Sequence, residues 1–532
     1  MIPCSAYHVD QSRWQEAGPL AADPAELGEA RPVLWGKVLD QERCIGCHAC
    51  TVACKSENEV ALGVTRTFVK QTEIGTFPNA RRQFQVTRCN QCSDAPCVSA
   101  CPVTAMFRRE DGIVDFDREV CIGCKACIAA CPYDAIFIDP VTHSAEKCNF
   151  CAHRIDQGLQ PACVAICPEG AIIVGDMNDA ESEISRLLAR ERVEVRKPHL
   201  GTRPKVFYKG GDVSALTPGR AEVRPGFYAA ERHPVGPPPP PVPGGPRSSA
   251  SAVLAYDDMH TVPWDWRVSL YTWTKSLAAG AFGVAAILSW TTGHGLRDLG
   301  AASALSLLFL VITLGLIVSD LEHPLAFWRI LVRPQWRSWL ARGAFILSAY
   351  ALVLVVSLLA RLGGAPGLLG GLRAVGVILA ALSAVYTAFL FGQCRGRDLW
   401  QSPGLPIGLL AQAAIAGGAA LWLLGRVVTL PASWQPGLLV VLWSGLAVHL
   451  ALCVADALFG SRTVDGYIAS WHLRRGVYAP WYWVGVIGGG LVAGALLFVP
   501  GAGASAGAFL ALVGLFPYQH AFVQAGQSVA LS

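Results

Sequence analysis

The pattern of polar and apolar positions changes character partway along the chain. Up to about residue 210, apolar runs are short and separated by charged and turn-forming residues. From 268 onward eight long apolar segments follow one another, at 268–290, 301–320, 340–360, 373–392, 405–424, 437–459, 481–499 and 503–525. Each is close to the roughly 20 residues an α-helix needs to cross about 30 Å of hydrocarbon. Trp and Tyr stand near many of their ends, as at a lipid–water boundary. Buried helices of a large soluble core would not repeat this pattern eight times. The last segment is interrupted by Pro517 and is the weakest of the set.

In the first half, IVDF, AIFID and AIIVG read as short strands, with turns at Asp111-Gly112 and Asp139-Pro140. NDAESEISRLLAR (178–190) has helical spacing with acidic residues early, the pattern of a surface helix. The five successive prolines in HPVGPPPPPVPGGPRSSAS (233–251) favour an extended spacer. The organisation predicted is an arm (1–34), a cysteine-bearing α+β domain (35–210), a Pro-rich linker (211–260) and an all-α transmembrane bundle of about eight helices (261–532).

Composition adds a compartment. Sixteen of the 19 cysteines lie between Cys44 and Cys167, while Cys4, Cys394 and Cys453 stand apart. The first residues lack a basic stretch followed by an apolar one, and a disulfide framework belongs to short secreted chains. Metal ligation in a reducing compartment is the reading that remains. The net charge of +4 gives no case for nucleic acid. Short loops on the cysteine-domain side of the bundle carry Arg329, Arg333, Arg337, Arg342, Arg395, Arg397, Arg462, Arg474 and Arg475. The opposite loops carry only Arg297, Arg361, Arg373 and Arg426. Arginine concentrates on the inside, so the cysteine domain is expected on the cytoplasmic face of the inner membrane.

The cysteines fall into four groups: Cys44, Cys47, Cys50, Cys54; Cys89, Cys92, Cys97, Cys101; Cys121, Cys124, Cys127, Cys131; and Cys148, Cys151, Cys163, Cys167. CIGCHACTVAC (44–54) repeats as CIGCKACIAAC (121–131), a sign of duplicated units. Three thiolates on a tight loop reach three irons of one cubane, while the fourth, on the following helix, points toward another cluster. Proline after Cys101, Cys131 and Cys167 redirects the chain there, and Gly46 and Gly123 let the loops bend closely. Zinc has no use for a third cysteine three residues on. CIGCH matches a c-type haem motif, but the repeat has Lys125 in place of His48. All sixteen positions are cysteine, so four complete 4Fe–4S clusters are expected.

On these motifs residues 35–210 resemble the four-cluster, ferredoxin-like subunit of the DMSO reductase, polysulfide reductase and formate dehydrogenase class of molybdenum enzymes. The resemblance implies one cluster on Cys44, Cys47, Cys50 and Cys167, and a second on Cys148, Cys151, Cys163 and Cys54. It implies a third on Cys89, Cys92, Cys97 and Cys131, and a fourth on Cys121, Cys124, Cys127 and Cys101. The segments VPWDWRVSLYTWTKSLAAG, DLEHPLAFWRIL, GQCRGRDLWQSP and HAFVQAGQSVALS resemble the NrfD-like, quinone-interacting membrane subunit of polysulfide and related reductases. The fused chain is thus expected to pass electrons between a separate, molybdopterin-dependent catalytic subunit and menaquinone or ubiquinone in the lipid.

Quinone chemistry couples electrons to protons and needs donors and acceptors near the ring. Trp266, Tyr271, Lys275, Asp320, His323, Gln393, Asp456 and His520 lie toward the cysteine-domain side of the spans and are the candidates, with His449 deeper. Lys275 is either a site residue or a snorkelling lysine. His449 and Asp456, seven apart on one face, are either a proton relay or a hydrogen-bonded pair. His449 alone lies well inside a span, so no haem is expected. No phosphate-cradling glycine loop or nucleophile–base set appears, leaving quinone oxidation or reduction as the only chemistry on the chain. Two other roles fit the same parts: a module of a quinol-oxidising respiratory complex, and a redox-driven proton-translocating subunit.

Overall fold

A computed structural model of the chain describes residues 32–222, 252–258, 262–293, 299–363, 366–460 and 463–532. Most of the arm, the proline run, Cys4, Arg297 and Arg462 lie outside the described residues.

The strands of the first half are short because cysteine loops interrupt them. They are β1 (Trp35–Asp40), β2 (Thr67–Ile74), β3 (Arg81–Arg88), β4 (Met106–Arg108), β5 (Val114–Phe116), β6 (Ile136–Ile138), β7 (Ala145–Lys147), β8 (Ile172–Asp176), β9 (Val193–Glu194), β10 (Val206–Lys209) and β11 (Ala252–Tyr256). One sheet runs β8-β1-β10-β9, with β1 parallel to β10 and antiparallel to β8. β4 pairs with β5 and β6 with β7, two three-residue hairpins that follow Cys101 and Cys131 in the same way. The surface helix spans Glu183–Arg190, five residues shorter than its sequence pattern, because the Ser182 side chain caps it by accepting from the Ser185 amide.

One boundary shifts. β11 falls inside the stretch read as linker, yet it pairs antiparallel with β2 in a β11-β2-β3 sheet. The chain therefore completes the first domain after the proline run, and only then enters the membrane half.

The membrane half contains eight long helices: α1 (Trp266–Thr291), α2 (Leu299–Ser319), α3 (Trp339–Leu362), α4 (Pro366–Gly392), α5 (Leu405–Leu424), α6 (Trp434–Leu458), α7 (Ala479–Leu496) and α8 (Ala502–Gln527). Seven are long and apolar enough to cross a membrane. α1 falls short because Thr272, Thr274, Lys275 and Ser276 line it, and it can carry them because they are buried inside the bundle. Leu308, Val311, Leu359, Ile378 and Val440 are exposed on other helices, an apolar outer face that calls for lipid. α8 runs through Pro517 without a break. The α1–α5 crossing is close: a Cβ on Gly280 would lie 1.8 Å from the Ala413 carbonyl oxygen.

The halves share their cores. Leu321, Ile330 and Ala341 of the membrane half pack with Cys101, Cys121 and Cys127, while Ala126 and Ala129 pack with Trp264 and Trp400. Arg397 pairs with Asp134 at 3.2 Å and donates to the Val529 carbonyl at 2.6 Å. Sequence counted Arg397 among the charges that orient the bundle; it is 3% exposed and ties the two halves together.

Candidate metal centres and the membrane junction

Each cysteine loop reverses through residues with positive φ, among them Gly46, His48, Gly123 and Lys125, and then starts a short helix. That geometry turns successive thiols toward a common space. Cys44, Cys47, Cys50 and Cys167 line one cavity of about 350 Å³. Cys101, Cys121, Cys124 and Cys127 line another of about 350 Å³. Cys54, Cys148, Cys151 and Cys163 line a third of about 250 Å³. Cys92 lies within electrostatic reach of Cys89, Cys97 and Cys131. Three of the cysteine sets thus each place four thiols around one cavity. That arrangement suits a multi-iron cluster better than zinc.

Burial explains why the thiols need such a group. It pushes Cys50 up to about 11 and Cys54 up to about 12, because an isolated thiolate is costly in a low-dielectric interior. Cys163 goes the other way. Burial alone would raise it, but Arg88 and Lys37 hold it down to about 7. Arg88 Nη1 donates to Cys163 Sγ at 3.1 Å, and Lys37 Nζ stands 3.9 Å from the same sulfur. Both cations are almost wholly buried. Asn58 Nδ2 lies 3.7 Å from Cys54 Sγ and 3.6 Å from Cys151 Sγ. The cysteine spacing alone did not reveal these three residues. Their signal is a charge at a core-facing strand position (Lys37 in WGKVLD) and an arginine directly before Cys89.

The four sets differ in their surroundings. The Cys44 set opens outward, with Cys47 exposed and Ile45 and Ile166 beside it on the surface. The Cys121 set instead meets the membrane half. The Glu322 and His323 amides donate to the Gly123 and Ile122 carbonyls at 3.4 and 3.3 Å, and Trp264 Nε1 donates to the Cys124 carbonyl at 3.4 Å. Gly123 is required at this junction: its φ is +67°, and a Cβ would stand 2.3 Å from Glu322 Cβ. Lys125 spans the seam, 3.6 Å from Asp320 Oδ1 and 3.1 Å from Glu322 Oε1.

The residues that sequence proposed for the quinone side have different surroundings. Asp320 and His323 touch the Cys121 loop directly. Gln393 caps α3, its side chain accepting from the Trp339 amide and donating to the Arg337 carbonyl. Trp266 is half-exposed and Tyr271 is buried. Lys275 Nζ donates to the Ala384 carbonyl and to Thr387 Oγ1, with the Tyr386 ring 4.8 Å away. It is fully buried against α4 and does not snorkel. His449 packs edge-on against Tyr518 at 4.4 Å, whereas Asp456 accepts from Ser402 at 3.3 Å. The two are not bonded to one another among the described residues, and neither pairs with Lys275. His520 lies beside Trp481. Cys394 and Cys453 are buried in an apolar cluster.

Comparison with known proteins agrees with this division. The 4Fe-4S binding domain family matches residues 35–56 and the 4Fe-4S dicluster domain family residues 80–177. The first half is 46% identical over 198 residues to a subunit of the tetrathionate reductase of Salmonella typhimurium, covering 35% of this chain and 78% of that protein. It is 44% identical over 176 residues to a component of the polysulfide reductase of Wolinella succinogenes, covering 32% and 92%. It is 39% identical over 210 residues to a subunit of the selenate reductase of Mesobacillus selenatarsenatis, covering 33% and 72%. The polysulphide reductase NrfD family matches residues 256–530, more than half of the chain. The protein is therefore a multi-pass membrane member of the NrfD family whose first half is an iron–sulfur electron-transfer protein like those subunits of tetrathionate and polysulfide reductases.

Proposed function

We propose that the chain carries electrons through four 4Fe–4S clusters between a catalytic oxidoreductase subunit, molybdopterin-dependent, and the quinone pool of the inner membrane, with its iron–sulfur domain on the cytoplasmic side. The observation that carries this reading is the opposite placement of two cysteine sets. The Cys44 set faces outward, where a partner can dock, and the Cys121 set is bonded to the membrane half. The Cys54/Cys163 and Cys89 sets complete a string between them, with Cys54, Cys101 and Cys167 each lining the cavity of another group. Each cluster, when bound, supplies one-electron storage. The protein fixes the order of the sites, excludes water from most of the thiols and sets the charge around them.

Three relatives carry the names of reductase components, which supports a separate catalytic partner. The arginine-rich loops beside the cysteine domain support the cytoplasmic placement; here Arg329 donates to the Glu119 carbonyl and Arg395 to the Leu200 carbonyl. The test is purification without oxygen. Sixteen irons per chain, cluster reduction by a quinol, and co-isolation of a molybdenum protein are expected. Far fewer irons, or clusters that no quinol reduces, would remove the proposal.

A further inference from the structure

The cavity of about 250 Å³ ringed by Cys54, Cys148, Cys151 and Cys163 is bordered by an asparagine engaged at both ends of its amide. Asn58 ends the helix Ala49–Glu57 as its C-cap, so the run CKSEN returns an amide to the cysteine one turn before it. Its Nδ2 donates to the Cys54 carbonyl at 3.0 Å and lies 3.7 Å from Cys54 Sγ and 3.6 Å from Cys151 Sγ. The first sulfur is local, while the second lies 93 residues further along the chain. Capping a helix needs the carbonyl contact only. The reach to two sulfurs of different motifs is left over.

The other end of the amide fixes its direction. Arg66 Nη1 donates to Asn58 Oδ1 at 2.9 Å. A guanidinium can only donate, so the atom it meets is the carbonyl oxygen, and the NH₂ group must face the sulfurs. Turned by half a rotation, the amide would set its oxygen against two thiolates and its NH₂ against a cation. Arg66 is 6% exposed, and its second nitrogen, Nη2, pairs with Glu146 Oε2 at 2.9 Å. Glu146 is fully buried, and its other oxygen pairs with Arg118, which reaches in from the surface. Arg66 Nη1 also donates to Asn149 Oδ1 at 3.3 Å, between Cys148 and Cys151. The guanidinium fork therefore braces both cysteine segments at the cavity wall.

We infer that the Asn58 amide, oriented by Arg66 and Glu146, donates to two thiolates of the Cys54/Cys163 set and raises the reduction potential of the site they form. The inference rests on the four-cluster reading above and assigns one of those sites a tuning group. A hydrogen bond to a ligand sulfur favours the more negative, reduced state, because the proton's partial positive charge sits beside the added electron density. Arg88 acts on the same site as a full charge. Asn58 acts as a neutral dipole, and the sign of its effect depends on which way the amide is turned. Arg66 and Glu146 are the positioning residues that set that turn.

The full chain is labelled with nitrogen-15 asparagine, loaded with clusters without oxygen in detergent, and read by pulsed EPR for asparagine nitrogen couplings and by EPR redox titration. One cluster signal of the unaltered protein should show such a coupling, and Asn58→Ala should lose it. Asn58→Ala should keep its iron and shift the reduction equilibrium of that cluster at least threefold toward the oxidised form, about 28 mV at 59 mV per tenfold. Where that variant does not load, Asn58→Asp has the same shape without the donor and should behave alike. Arg66→Lys keeps the charge but loses the fork, and should weaken the coupling at least twofold. No asparagine coupling in the unaltered chain, a coupling that survives the loss of Asn58, or a shift below threefold or upward overturns the inference while the electron-transfer reading stands. A smaller loss of coupling in Arg66→Lys overturns the role given to Arg66. A wild-type chain with far fewer than sixteen irons overturns both readings.

Discussion

Replacing Arg88 should lower the reduction potential of the cluster proposed on Cys54, Cys148, Cys151 and Cys163, which line one cavity. Arg88 is 2% exposed, donates to Cys163 Sγ at 3.1 Å, and leaves its Nε and Nη2 protons without a partner among the described residues. Those protons are free for a cluster's own sulfides. Adding an electron to the cluster strengthens its attraction to this cation. With about 6 Å between charge centres and an effective dielectric constant of about 20, the gain is about 3 kcal/mol. Since a tenfold change in a one-electron equilibrium is 59 mV, that gain corresponds to roughly 120 mV. Arg88→Gln keeps a donor but removes the charge, so it should shift the potential down by about that amount. Arg88→Lys should recover most of it, because the charge returns even though the fork geometry does not. The assay is an EPR-monitored redox titration of the cluster-loaded chain, which reads each cluster separately. A shift under about 30 mV in the glutamine variant, or an upward one, would refute the electrostatic reasoning.

On the proposed four-cluster reading, Cys97→Ser should remove one cluster, and iron analysis should fall by about four per chain while the other three EPR signals persist. Gly280→Leu should destabilise the bundle, because even a Cβ there meets the Ala413 carbonyl oxygen at 1.8 Å; a loss of at least ~1–3 kcal/mol is expected for overpacking, read as earlier thermal aggregation in detergent. Burial, opposed by Lys125, pushes the Asp320 carboxyl up to about 6. Because the docked acid holds its proton to higher pH than an exposed aspartate near 3.9, undocking releases that proton, and the junction should loosen as pH rises from about 4 through 6. The full effect is at most about 3 kcal/mol. Hydrogen exchange of the Cys121 loop should therefore be slower at pH 5 than at pH 7 once corrected for intrinsic rates. Asp320→Asn should abolish the difference, and a difference of opposite sign would count against it.

Periodicity and spacing made much of this molecule readable. Eight apolar segments became eight helices, several displaced by only one to three residues at their ends. Cysteine spacing announced iron–sulfur binding because tight loops and thiol chemistry are local properties. What spacing could not reveal is whatever depends on two distant segments meeting. The return of β11 to β2 rests on pairing across about 180 residues, and the prolines between them masked the continuity. Pro517 looked like an interruption, but α8 passes through it in a buried setting where neighbouring helices support the backbone. Lys275 had two readings open; it is satisfied by the Ala384 carbonyl and Thr387, partners on a helix more than 100 residues away.

The charge arrangement around the cysteine sets gives the string a physical gradient. Among the described residues, Arg88 and Lys37 face the Cys163 set without a carboxylate partner, and Lys147 and Lys205 act on Cys89. These four cations are each at most 2% exposed. By contrast Lys125, beside the Cys121 set, is offset by Asp320 and Glu322, and the Cys44 set opens to the surface. Uncompensated buried cations favour the reduced, more negative form of a cluster, while paired cations and solvent do so less. The two interior sites should therefore hold electrons more firmly than the two at the ends. A chain tuned in this way draws electrons away from either terminus and releases them only when an acceptor at the far end has the higher potential. Titration of all four clusters in one sample tests the ordering, since a terminal cluster with the highest potential would show that buried charge does not set it.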